Sequence, residues 1–137
     1  MTFFLLVAHA ALGVAAITIS ILCVQARTAT RARALSTWLL GVVAAQTVVG
    51  DVLYPAYIVR AKPLLKALAA GSRSVADVFE VKEHLAFFVL VFALGAFVLA
   101  RREPKPTALL RVLFGCAHGL IILVAVLGLV VASVKMP

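Results

Sequence analysis

The sequence predicts an all-α integral membrane protein: a four-helix antiparallel transmembrane bundle, with a short amphipathic interfacial helix between the second and third spans. Three observations carry this. Of the 137 residues, 65% are hydrophobic and 13% charged, against about 45–50% and about 25% in soluble domains. Lipid must therefore cover apolar surface that one core cannot hide. Four apolar runs each exceed the ~20 residues that cross ~30 Å of hydrocarbon. The connections after the first and third runs are short, as in up-down bundles. Nothing marks a separate soluble domain, a low-complexity tail or an internal repeat, so residues 1–137 form one transmembrane domain.

The first span runs from about Thr2 to Ala26. It lacks the basic start and small-residue cleavage site of a signal peptide, and is read as a retained helix. The second runs from about Ala34 to Val59, the third from Val75 to Ala100 and the fourth from Thr107 to Val134. In the long connection, "KPLLKALAA" places Pro63 near a helix start, with Leu64, Leu65 and Leu68 opposing Lys62 and Lys66. This pattern gives the interfacial helix. "GSRSVAD" then breaks the chain, with Ser74 as N-cap and Asp77 three residues on, so the third helix begins about two turns before its apolar run.

Orientation follows from the connections. "RTATRAR" (27–33) and "RREPKPTALLR" (101–111) are short, dense in Arg and Lys, and lie on one face. Basic loops stay cytoplasmic, which puts both termini on the outer, periplasmic side of what reads as a bacterial inner membrane. That face carries seven basic residues and the other six, so density rather than number decides. The net charge of +8 does not imply nucleic acid, because most of these residues sit at span ends, where they anchor helices and meet anionic lipid.

Against this background "GDVLYPAYIVR" (50–60) is anomalous, since it places Asp51 where a span should still be dry. Counting ~1.5 Å per residue outward from Arg27, Arg33 and Arg101, three residues on three helices reach one level: His9, Asp51 and His84. Gly50 and Gly128 arrive there on the second and fourth helices. Asp77, Glu80 and His84 share a helix face at spacings of three and four, with Glu83 beside them. Ionisable side chains at membrane depth are costly and usually face the bundle interior or each other.

The layer suggests a bound group. His9 and His84 on diagonal helices are placed to act as axial ligands of haem b, with Gly50 and Gly128 leaving room for a flat macrocycle. Phe87 and Phe88 are available to cover a porphyrin face, and Arg60 to meet a propionate. Asp51 would orient a ligating imidazole. The bland alternatives are Tyr54 and Tyr57 as interfacial aromatics, His84 as an interfacial residue capped by Glu80, His9 bonded to a backbone carbonyl, Asp51 paired with Arg60 or Lys62, and Gly50 and Gly128 as close-approach residues.

A second group lies near the inner face: Cys23, Cys116 and His118. The thiols have no C-x-x-C spacing and read as reduced packing groups. Gly115 and Gly119 read as a helix-contact face, and His118 as a packing or polar-contact residue.

Three functions are compatible with these residues. The first is a small b-type cytochrome exchanging electrons with a quinone or a periplasmic partner, a redox protein with no catalytic residue identified. The second is a membrane metal-ion or proton site built from His9, Asp51, Glu80, Glu83 and His84, with Zn, Fe or Cu as the ion and an enzymatic or transport role. The third is an accessory or scaffold subunit of a membrane complex, or a homo-oligomer. Walker A, G-x-G-x-x-G, H-E-x-x-H and G-x-S-x-G motifs are all absent.

Overall fold

The computed structural model describes residues 2–56, 59 and 74–133. These form four helices: α1 (Thr2–Val24), α2 (Ala29–Ala56), α3 (Ser74–Arg102) and α4 (Ala108–Ser133). Each is long and apolar enough to cross a membrane, with mean hydropathy of 2.3, 1.4, 2.2 and 2.5 over the candidate spans. The proposed interfacial helix at 62–70, and with it Tyr57, Arg60 and Lys62, lies outside the described residues.

Local chemistry sets the helix boundaries. α1 ends where Ala26 N–H turns back to the Cys23 carbonyl at 3.0 Å. Thr28 then caps α2, its Oγ1 accepting from Arg31 N–H at 3.3 Å. α2 therefore begins five residues before the expected Ala34, because the basic segment 29–33 is helical rather than connecting. Thr107 caps α4 in the same way, accepting from Leu110 N–H at 3.3 Å. Pro104 and Pro106 keep the preceding connection from continuing α3. Pro55 sits in the last turn of α2 and has no N–H to offer the Asp51 carbonyl.

The helices pack as a ring. α1 lies against α2, α2 against α3, α3 against α4 and α4 against α1, while α1 and α3 stand on a diagonal. Each helix turns a narrow stripe inward. The buried residues are Ala16, Ser20 and Cys23 on α1; Ala32, Ser36, Leu39 and Val43 on α2; Val89, Ala93, Ala96 and Ala100 on α3; and Leu110, Phe114, Ala117 and Ile121 on α4. Spacings of three and four keep each set on one face. Most are small, which lets helix backbones approach closely in lipid, where apolar bulk alone drives little association. Ser20 and Ser36 are fully buried, and each satisfies its hydroxyl by donating to a carbonyl three residues back, at 2.8 and 2.9 Å.

Only 11–22% of each span's most apolar window is buried inside the bundle. Large side chains such as Phe4, Trp38, Phe87 and Leu129 point outward, as lipid contact requires. At the basic end, Arg33 ties α2 to the end of α3. Its Nε donates to the Ala100 carbonyl at 3.1 Å and its Nη2 to the Glu103 carbonyl at 3.2 Å. Arg101 answers from α3, donating to Thr37 Oγ1 at 3.3 Å and lying over the Phe97 ring at 4.2 Å.

Candidate functional site

The inward stripes can be followed toward the end of the bundle that holds the chain start. On α1, Ala16 minus seven residues is His9. On α2, Val43 plus three is Gln46 and plus seven is Gly50. On α3, Val89 minus seven is Lys82, and on α4, Ile121 plus seven is Gly128. Seven residues at 100° each return to within about 20° of the starting direction. Projected along the buried stripes, His9, Gly50, Lys82 and Gly128 fall on the same side of their helices as the buried residues, with Gln46 one turn from Gly50, and all five are half-buried.

Contacts agree with this arrangement. The His9 ring covers Gly50: its Cε1 lies 3.5 Å, and its Nδ1 4.0 Å, from where a Cβ on Gly50 would stand. The Gln46 amide packs over Gly13, 3.3 Å from the equivalent point there. The Gln46 main chain and the Lys82 ammonium both act on the His9 ring, Lys82 through its charge. Glu83 in turn acts on Lys82. His9 Nδ1 is buried and has no hydrogen-bond partner among the described residues. A buried polar atom in this condition typically costs about 1–3 kcal/mol. At Gly128, no atom of the described residues stands within 4 Å of where a Cβ would be.

The other residues expected at this level are placed differently. His84 is exposed, because five residues from Val89 turn it about 140° away from the inward stripe. Its Nδ1 bonds the Glu80 carbonyl at 2.7 Å. A carbonyl only accepts, so Nδ1 is the donor and Nε2 is the nitrogen not used in this bond. Asp51 and Glu80 are exposed and Glu83 is half-buried. Among the described residues, no three His, Cys, Asp or Glu side chains converge as a metal-ion ligand set would.

Sequence reasoning missed two members of the layer, Gln46 and Lys82. The signal was the alanine-rich α3 stripe, which projects back onto Lys82 rather than His84.

The inner group is partly assembled. His118 Nδ1 lies 2.8 Å from Ser20 Oγ. The Ser20 hydroxyl proton already goes to Ile17, so His118 Nδ1–H is the donor. Cys23 is fully buried, whereas Cys116 is exposed, and both thiols are free.

No family model, curated protein or solved structure matches this chain.

Proposed function

We propose that the protein is an integral membrane protein whose outer half holds one internal site for a proton or a small proton-exchanging ligand, centred on His9 with Lys82 as its cationic partner. The observation that supports this most is the buried His9 Nδ1, which has no hydrogen-bond partner among the described residues. Ionisable groups within spans mark proton or substrate paths more often than packing. His9 is the proton-accepting group, the Gln46 main chain orients its ring, and Lys82 favours an anionic or carbonyl oxygen beside it. The bundle is antiparallel in this reading. The ends bearing Arg27–Arg33 and Arg101–Arg111 face the cytoplasm of a bacterial inner membrane, and the site faces the periplasmic half.

The test is magnetic resonance of ¹⁵N-histidine protein in bilayers. The His9 ring nitrogens should respond to bulk pH over roughly pH 5 to 9, the range in which imidazoles titrate, and Lys82→Met should alter that response. His9 signals constant across the range in both proteins would overturn the reading.

A second reading, a b-type cytochrome, is favoured by the state of His84. An imidazole whose Nδ1–H is held by a carbonyl and whose Nε2 is not used in that bond is the usual form of an axial ligand. The donor chemistry of His9 and His84 suits haem; His84 is exposed and the His9 ring lies against Gly50. A haem would supply one-electron transfer to a quinone or periplasmic partner. His84 would then hold it from the outer surface of α3, which requires a second copy or a partner subunit to complete the ligation. A Soret band in the purified protein decides whether this reading survives.

A further inference from the structure

At the basic end of the bundle, an open-sided cavity of about 890 Å³ lies where the α1–α2 connection meets the first turns of α2 and α4. Its lining brings together Arg27, Arg31 and Arg111, with Gln25 and Thr28 beside them and Val24 forming its apolar side. No acidic residue lines it. The volume falls within the ~300–1,000 Å³ typical of small-molecule sites.

The three arginines differ from their neighbours in what they do. Arg33 and Arg101 spend their guanidinium groups on the carbonyls of Ala100 and Glu103, the Thr37 hydroxyl and the Phe97 ring. Among the described residues, neither a carboxylate nor a carbonyl engages the guanidinium groups of Arg27, Arg31 or Arg111. Arg27 and Arg31 lie four residues apart, and the fold brings Arg111 from the first turn of α4 to the same space. Like charges gathered without counter-charges repel, and an anion in their midst removes that cost. Guanidinium forks match phosphate oxygens in pairs.

We infer that this cavity is a phosphate-group site at the membrane–water boundary, held by Arg27, Arg31 and Arg111. The anion is either the headgroup of an acidic phospholipid or a free phosphate compound. A lipid would seat its phosphodiester among the arginines, with its acyl chains continuing past Val24 along the apolar surface of α1. Basic pockets between membrane helices bind such headgroups.

The test uses the full-length chain in neutral detergent, examined by native mass spectrometry after addition of phosphatidylglycerol, phosphatidylcholine or inorganic pyrophosphate. One phosphatidylglycerol per chain should remain bound at energies that strip phosphatidylcholine. An Arg31→Gln/Arg111→Gln variant should lose this occupancy at least tenfold. Lys105→Gln removes a charge from the same face but lies outside the cavity, and should change it less than twofold. Saturable pyrophosphate binding in place of the lipid, lost in the same double variant, would keep the site and assign it to a soluble phosphate. Lipid or pyrophosphate binding that falls equally with Lys105→Gln, or no saturable binding of either probe, would overturn the inference. Circular dichroism of each variant separates loss of site from loss of fold.

Discussion

The His9 ring lies against the backbone of Gly50, with Cε1 3.5 Å from the position a Cβ would take. That separation is ordinary van der Waals contact, so one methyl group fits. Gly50→Ala should leave the midpoint of thermal unfolding in detergent within a few degrees. Gly50→Leu must push the imidazole aside, and overpacking of this kind costs about 1–3 kcal/mol. A leucine variant as stable as the parent, with unchanged His9 ring signals, would show that the two residues do not pack.

The Ser20–His118 bond makes a separate prediction. Ser20→Ala leaves His118 Nδ1–H without its acceptor in a part-buried position. The loss should be about 1–3 kcal/mol in detergent unfolding. Combined with His118→Ala it should be clearly non-additive. Additive losses would mean that serine and histidine do not share a hydrogen bond.

Arg33 closes the open end of α3 by donating to carbonyls that have no helical partner of their own. Arg33→Ala should fray that end, seen as faster amide exchange over the last turn of α3 and little change at Val89 or Ala93. Uniform exchange along α3 would place Arg33 elsewhere.

The two functional readings separate in one absorption spectrum. If haem is held as the second reading has it, a Soret band is present in the purified protein. It should be lost in His84→Ala and kept in His118→Ala, whose ring is already bound to Ser20. Asp51→Asn should retain the band, since Asp51 is exposed and outside the inward layer. Absence of any Soret band in protein grown with ample haem removes the cytochrome reading.

The four apolar helices among the described residues were legible in the sequence because four runs of sufficient length leave no other solution in lipid. The start of α3 was legible in the Ser74–Asp77 segment, and that of α2 was not, because arginines masked a helical first turn. Rise per residue fixes spacing along each helix, but helix face was not legible from charge alone. At 100° per residue, Lys82 and His84 are two positions apart yet point about 160° away from each other. Chemistry drew attention to the histidine, while the run Val89, Ala93, Ala96, Ala100 pointed to the lysine. Gln46 was overlooked because it is uncharged, although it continues the α2 stripe and packs over Gly13.

The central claim is that His9 faces inward into a layer shared with Gly50 and Lys82, with His84 outside it. Through-space solid-state NMR on uniformly labelled protein in bilayers tests it most directly. The account predicts cross-peaks from the His9 ring to Gly50 and Gln46, no ring-to-lipid contacts, and no His9–His84 correlation. A His9–His84 correlation, or His9 ring contacts to lipid acyl chains in place of Gly50, would contradict it.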